Sequence, residues 1–106
     1  MAKSSFTLKF APETVDHLDT VASKYHSRLR REIKEQLTFT PTKETRNRKS
    51  LEAPAPLGAA WELRCGPANR FRVLYEVDPE AQIVLILAIG VKERDRLFFG
   101  PEEFKT

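Results

Sequence analysis

The stretch WELRCGPANRFRVLYEVD, residues 61–78, contains two segments in which apolar and polar side chains alternate, separated by a short turn. Alternation with a period of two is typical of β-strands that bury one face. Pairing Trp61 with Tyr75 keeps the large apolar side chains of both segments together, whereas a slip by one residue would bury arginine. The stretch therefore predicts an antiparallel strand pair in which Arg64 lies directly opposite Arg72, an unfavourable arrangement of like charges.

Apolar periodicity predicts the remaining elements. The run IVLILAI at 83–89 is apolar on both faces, which indicates the central, covered strand of the sheet. We expect Ser27 to cap the second of two helices and GPEEF, residues 100–104, to form a helical turn. The predicted elements are strands over 5–10, 45–51 (an edge strand), 61–65, 71–77 and 83–91, and helices over 12–24 and 27–38.

These elements predict an α+β fold in one domain over residues 1–106. An N-terminal strand and a helical hairpin pack on a mostly antiparallel sheet of four to five strands. The helices are expected to bury Val15, Leu18, Ala22 and Tyr25 in the first, and Leu29, Ile33 and Leu37 in the second.

Composition excludes several classes of protein. Hydrophobic residues make up 41% and charged residues 31% of the chain, as in ordinary globular domains. Cys65 is the only cysteine, so we expect no intrachain disulfide, no Cys/His metal site and a reducing compartment. The N-terminus lacks the apolar core of a signal peptide, which predicts a soluble cytoplasmic protein with no membrane partner. The net charge of +3 permits an acidic partner or a nucleic acid.

The polar face of the strand pair carries the candidate site. Pairing Val77 with Ile83 places Ala88 beside Arg72 and sends Lys92 to the same face. The small residues of the central strand would leave open space above it, and converging cations beside open space suit a phosphate backbone. A solvated charged face, common in antiparallel sheets, explains the same pattern equally well.

The segments AWELRCGPANRFRVLYEVD and GVKERDRLFFG, on either side of the apolar strand, resemble the RelE/ParE superfamily of type II toxins. The resemblance implies a RelE-like fold and a cognate antitoxin protein, which together would form a hetero-oligomer. RelE-like members are mRNA endoribonucleases (mRNA interferases) that inhibit translation. They cut mRNA in the ribosomal A site by attack of a ribose 2′-OH on the adjacent phosphate, without cofactor or metal.

The same resemblance assigns roles to individual residues. Arg72, expected as a surface cation, would clamp the transition state. Arg64 and Lys92 would stabilise the attacking or leaving oxygen. Glu62 replaces a lysine of RelE and would serve either as a general base or as a salt-bridge partner of Arg72. Arg94 and Phe98 would be further RNA contacts, although Phe98 fits a C-terminal core position as well. Arg46, Arg48 and Lys49 form a basic cluster, which is interpreted either as a contact to ribosomal RNA or, equally well, as a solvated loop.

Phe98 stands where RelE has a catalytic tyrosine, and it cannot transfer a proton. Two alternatives to RNA cleavage therefore remain open. ParE-like members of the superfamily share the fold but poison DNA gyrase, and a third possibility is a catalytically weak relative that still binds its antitoxin.

Overall fold

The computed structural model describes residues 5–53 and 55–104, and it confirms the predicted α+β fold. The described residues form one mostly antiparallel sheet with two α-helices. The strands are β1 (Thr7–Phe10), β2 (Arg48–Ser50), β3 (Trp61–Cys65), β4 (Phe71–Asp78), β5 (Ile83–Glu93), β6 (Arg96–Phe99) and β7 (Glu102–Phe104), and the helices are α1 (Glu13–Asp19) and α2 (His26–Leu37). Single 3₁₀ turns lie at Ser23–Tyr25, Pro56–Gly58 and Pro67–Asn69.

The strands follow the order β2-β3-β4-β5-β6-β7, and β5 is the long central strand. On the edge of β5 away from β4, β1 runs parallel to its first half and β6 runs antiparallel to its second half. The prediction of a helical turn at 100–104 is wrong, because this segment turns at Gly100 and pairs with β6 as β7.

The predicted register of β3 and β4 is confirmed: Trp61 pairs with Tyr75, and Arg64 lies directly opposite Arg72. The predicted register of β4 and β5 is wrong. Val77 pairs with Val84 rather than Ile83, and Arg72 pairs with Gly90 rather than Ala88. The pairing on the turn side of β4 and β5 is already offset by one residue, and a β-bulge at Leu87, which has no partner in β4, adds a second residue of offset at Arg72.

The bulge also explains why β5 is apolar on both faces. Before it, Val84 and Ile86 belong to the main core, and after it Ile89 and Val91 do. The main core lies between the sheet and α2, where Leu29, Ile33 and Leu37 are buried as predicted. We call the sheet face turned away from this core the second face.

The first helix differs from its prediction in length and orientation. It ends at Asp19, and Thr14 and Val21 are buried while Val15 is 63% exposed and Ala22 is exposed. Burial of Thr14 is possible because its hydroxyl donates to the carbonyl of Ala11 at 2.7 Å. The second helix begins one residue before Ser27, with no side-chain cap.

The second face is covered at its centre, contrary to the expected open space. Leu74, Ala88 and Ala59 are buried there in a small core of their own, and Leu51, Leu87 and Phe99 pack against it. A Cβ on Gly90 would lie 2.7 Å from Cε1 of Phe99. Leu51, Ala59 and Phe99 thus fill the room that the small residues of β5 leave.

Candidate functional site

The predicted catalytic residues occupy two adjacent rows on the second face. The sheet register aligns Arg64, Arg72, Gly90, Phe99 and Glu102 in one row. The neighbouring row consists of Lys49, Glu62, Leu74 and Ala88. Side chains within a row point to the same face, so the topology brings three of the four predicted catalytic residues together.

Glu62, Arg64 and Arg72 form an ion-paired group that we call the arginine cluster. Oε1 of Glu62 lies 3.0 Å from Nε of Arg64 and 3.6 Å from Nη1 of Arg72. The side chains of Glu62 and Arg72 are only 11% and 12% exposed, while that of Arg64 is 37% exposed. Arg72 is therefore not the surface cation that we expected. The shared carboxylate offsets the like-charge contact between the two arginines.

Burial lowers the pKa of the Arg72 guanidinium; the Glu62 carboxylate opposes this shift, and the nearby Arg64 adds to it. An arginine stays protonated at neutral pH all the same. Burial next to these residues raises the pKa of the Cys65 thiol to about 12, with Glu32 adding to the shift. Cys65 is consequently a protonated core residue and not a nucleophile.

The turn between β3 and β4 positions Arg72, and sequence reasoning missed its role. Nε of Arg72 donates to the carbonyl of Asn69 at 3.2 Å. Asn69 has a φ of +54°, and Gly66 has a φ of +80° with no room for a Cβ against the Phe71 ring. Glycine and asparagine are the residues that adopt this left-handed conformation most readily. Their presence at 66 and 69 was the sequence signal that could have indicated the conformation of this turn.

Two further residues outside the predicted set support the cluster. Asn47 brackets Arg64: its carbonyl accepts from the Arg64 N–H at 2.7 Å, and its Nδ2 donates to the Arg64 carbonyl at 3.0 Å. Glu32 of α2 accepts the Gly66 N–H at 2.8 Å and so ties the turn to the helix layer. No local sequence pattern indicated either contact, because both join segments distant along the chain.

The other predicted residues are scattered around the molecule. Lys49 and Lys92 share the second face with the cluster, Lys49 being exposed and Lys92 half-buried. Arg94 lies exposed at the tip of the β5–β6 hairpin, and Arg46 is exposed in the loop before β2. Neither forms a hydrogen bond or an ion pair with the arginine cluster.

Arg48 and Phe98 point away from the second face. An RNA bound at the arginine cluster would therefore not contact their side chains. Arg48 is 6% exposed and points to the main-core side, where its guanidinium donates to the carbonyls of Gln36 and Thr40. Phe98 pairs with Val91 and therefore points to the face opposite Arg72. It is Phe99 that shares the face of the arginine cluster.

One hollow of the described surface is lined by none of the three residues of the arginine cluster. It measures about 430 Å³ and is lined by the carboxylates of α1 and β7, with His17, Phe99 and Phe104. Across residues 5–53 and 55–104, histidine, cysteine and acidic side chains form no group of three or more that would hold a metal ion. Of the helices in this part of the chain, none combines the length and apolarity needed to cross a bilayer.

Comparison with known proteins agrees with the resemblance carried by β3, β4 and β5. A family described as "ParE toxin of type II toxin-antitoxin system, parDE" matches residues 8–96. No curated protein and no solved structure has significant similarity to the chain. The family match covers most of the chain and confirms membership of the RelE/ParE superfamily. The chain therefore belongs to the ParE toxin family of type II toxin–antitoxin systems, and its implied partner is an antitoxin protein.

Proposed function

We propose that this toxin acts in the manner of ParE, by binding DNA gyrase and inhibiting it, and not by cutting mRNA. The family that matches the chain is the ParE family, and gyrase is the target that the resemblance to ParE-like toxins implies. The observation that carries the choice is the state of the arginine cluster, in which one buried carboxylate already pairs with both arginines.

A nuclease of the RelE kind needs cations that meet the charge developing on phosphate. Preorganised donors contribute most when they point at the transition state and have no other partner. Here Nη1 of Arg72 faces Glu62, and Nε of Arg72 is taken by the Asn69 carbonyl. A phosphate would have to displace the Glu62 carboxylate from a largely buried position, which would leave that carboxylate without its partners.

Proton transfer presents a second difficulty for RNA cleavage. General acid–base catalysis requires a titratable group within hydrogen-bond reach of the reacting oxygens. The histidines and tyrosines of the described chain have other contacts: His17 with Ile89, His26 with Leu18 and Val21, Tyr25 with Phe71, and Tyr75 with Pro41. This leaves Glu62 as the titratable group of the cluster, where it serves as a counter-ion. These features support action by binding.

The proposal is tested with purified toxin in two assays run side by side. The first measures ATP-dependent supercoiling of relaxed plasmid by gyrase, with a topoisomerase that is not gyrase as the control enzyme. The second is primer extension on mRNA in a translating extract. We expect inhibition of gyrase alone and no cuts in the A site. A-site cuts with unimpaired supercoiling would overturn the proposal, and inactivity in both assays would indicate an inert relative that binds its antitoxin.

Cleavage of mRNA remains the second candidate because of one observation. Arg64 is partly exposed, and Lys49 and Lys92 lie on the same face, so this face presents cations to solvent around the arginine cluster. If the chain were an mRNA interferase, a hydroxyl on this face would increase cleavage. Phe99→Tyr supplies one, whereas Phe98→Tyr places its hydroxyl on the opposite face and is the matched control. Under our proposal neither variant cuts mRNA.

A further inference from the structure

A hollow of about 430 Å³ lies at the β7 end of the second face and is lined by α1, β7 and the 3₁₀ turn Pro56–Gly58. Phe99 and Phe104 form part of its wall, and the sheet register points both rings to the second face. Pro56, Leu57 and Pro101 complete its apolar surface. Its volume falls within the range of about 300–1,000 Å³ that is typical of ligand pockets. The hollow therefore has room for side chains of a partner.

Acidic side chains surround these apolar walls. The four carboxylates belong to Glu13, Asp16, Glu102 and Glu103. The last of them pairs with Arg96 at 2.9 Å, whereas the other three are exposed and form no ion pair with any residue of 5–53 and 55–104. Burial lowers the pKa of His17, another residue of the wall, and all three exposed carboxylates oppose this shift. Their charges thus converge on one side of the hollow.

The charge of the hollow indicates what it binds. The chain as a whole carries +3, so this negative patch departs from the rest of the surface and repels phosphate. The described residues offer no group of acidic, histidine and cysteine side chains suited to a metal ion. A guanidinium matches both parts of the wall, since it pairs with carboxylates and stacks on aromatic faces such as Phe99 and Phe104.

Leu57, at the mouth of the hollow, extends the apolar surface into solvent. Its side chain is 63% exposed, and its φ of +56° lies in the left-handed region. Glycine or asparagine would adopt this conformation at lower cost, and neither would expose an apolar side chain. An exposed leucine in this conformation has no packing role that would account for it. It is suited to contact an apolar side chain of a partner.

We infer that this hollow binds an arginine of DNA gyrase, with its guanidinium against Glu102 and the carboxylates of α1. An apolar side chain of the same gyrase segment would cover Leu57. The inference rests on the proposed function and deepens it, because it names the part of the toxin that contacts the target and the chemistry of the segment that is bound.

Other occupants match the hollow less well. In a symmetric contact with a second copy of this chain, the unpaired carboxylates of both copies would approach each other, and like charges repel. A free polyamine would neutralise the carboxylates but would leave Leu57 uncovered. A protein segment that carries an arginine beside an apolar side chain satisfies both the charge and the apolar surface.

The first test measures the dissociation constant between purified toxin and gyrase for Glu102→Lys and Glu80→Lys. Both glutamates are exposed and both substitutions change the net charge equally, but Glu80 does not line the hollow. We expect Glu102→Lys to weaken binding by about tenfold or more and to reduce its salt dependence. Glu80→Lys should change the constant by less than about threefold. Equal effects of the two substitutions would overturn the inference.

The second test separates the contact made by Leu57 from its effect on the fold. Leu57→Asn suits the left-handed backbone, so the unfolding temperature should stay the same or rise, while we expect affinity for gyrase to fall about fivefold or more. Gln82→Asn is the matched control, because Gln82 is also exposed, has the same φ of +56° and lies outside the hollow. Full affinity of Leu57→Asn would contradict the inference.

The third test identifies the bound segment by cross-linking. A benzophenone attached to Pro101→Cys lies at the hollow, and one attached to Pro79→Cys lies in an exposed turn outside it. The natural Cys65 is buried, and its thiol pKa is raised to about 12, so it does not react with the label. We expect cross-links to gyrase from position 101 alone, to a segment that contains arginine. Equal yields from both positions, or a segment without a basic residue, would overturn the inference.

Controls distinguish this inference from the proposed function. Circular dichroism and thermal unfolding establish that each variant is folded. If the wild type does not bind gyrase, the proposed function and the inference both fail. If the wild type binds and Glu102→Lys binds equally well, the inference alone fails. Affinity for the antitoxin and sedimentation of the toxin alone are measured in parallel. A loss in either that exceeds the loss for gyrase would assign the hollow to the antitoxin or to a second copy, against the inference.

Discussion

The backbone N–H of Ile89 donates a hydrogen bond to the imidazole Nδ1 of His17 over 3.1 Å, and so joins α1 to the centre of the sheet. Along this edge of β5, pairing with β1 ends at Ile86 and pairing with β6 begins at Gly90. His17 therefore satisfies a donor in the gap between two strands. A backbone N–H only donates, so the bond requires a ring whose Nδ1 carries no proton.

Acid should lower the free energy of unfolding, because protonation of His17 breaks this bond. Burial lowers the pKa of His17 below the ordinary histidine value of about 6.5, against the opposing effect of Asp16, Glu13 and Glu102. As the pH falls below about 6.5, the unfolded chain therefore takes up a proton before the folded chain does, and the free energy of unfolding decreases. The decrease stops once the folded state is protonated as well. Urea unfolding at pH 7.5 and 5.0 measures this change.

His17→Gln is the matched variant for the pH experiment, because glutamine offers an acceptor oxygen to the Ile89 N–H and does not titrate. Carboxylates elsewhere contribute equally to the pH dependence of both proteins. The wild type should therefore lose more stability than the variant between the two pH values. Identical losses would show that His17 is not responsible.

Replacing Arg48 should destabilise the fold even though the residue was predicted to contact RNA. Its buried guanidinium donates to the carbonyls of Gln36 and Thr40 and links β2 to the end of α2. Arg48→Met would leave these carbonyls unpaired, and we expect a loss of about 2–4 kcal/mol in the free energy of unfolding. The exposed Arg46→Met is the control and should cost less than about 0.5 kcal/mol. Similar costs for both would contradict the buried role.

Removal of the charge of Glu62 should destabilise the sheet through the arginine pair. Breaking a buried ion pair costs about 3–5 kcal/mol, and partial exposure of Arg64 reduces this, so we expect about 2–3 kcal/mol for Glu62→Gln in chemical unfolding. Glu76→Gln, an exposed substitution on the same face of the sheet, should be nearly neutral. Adding Arg72→Gln to Glu62→Gln should recover part of the loss. If the second change only adds to the damage, the arginines do not repel each other as we infer.

Filling the space above Gly90 should displace Phe99. The Cβ of Gly90→Ala would lie 2.7 and 2.9 Å from Cε1 and Cδ1 of the Phe99 ring, and such overpacking costs about 1–3 kcal/mol. In a Phe99→Leu background, which removes the ring, the same substitution should cost clearly less. A double-mutant cycle in urea compares the four proteins. Additive costs would mean that the ring does not lie on Gly90 in solution.

The strand pair of residues 61–78 shows how far sequence reasoning reached. Parity and side-chain volume predicted the register of β3 and β4 residue by residue, since only one pairing buries Trp61, Tyr75 and their neighbours together. The same register placed Arg64 opposite Arg72. The α2 face of Leu29, Ile33 and Leu37 was predicted equally well, because its periodicity is regular over three turns.

The candidate site was predicted less completely, because proximity on a face does not specify partners. That Glu62, Arg64 and Arg72 share a face follows from alternation alone. The sharing of one Glu62 oxygen by two arginines, and the capture of Arg72 by the Asn69 carbonyl, depend on the conformation of the turn at 66–70. The sequence indicated a turn there without specifying its hydrogen bonds.

The sequence by itself determined the α+β fold, the pairing of β3 with β4 and the family, because each depends on local periodicity or on motifs within one continuous stretch. Tertiary structure alone decided that Leu87 forms a bulge, that Arg48 turns inward and that Leu51 and Ala59 cover the second face. It also decided that Phe99 and not Phe98 shares the face of the arginines. Each of these depends on cavities and hydrogen-bond acceptors supplied by segments far apart in the chain, and close packing makes the outcome sensitive to their exact volumes.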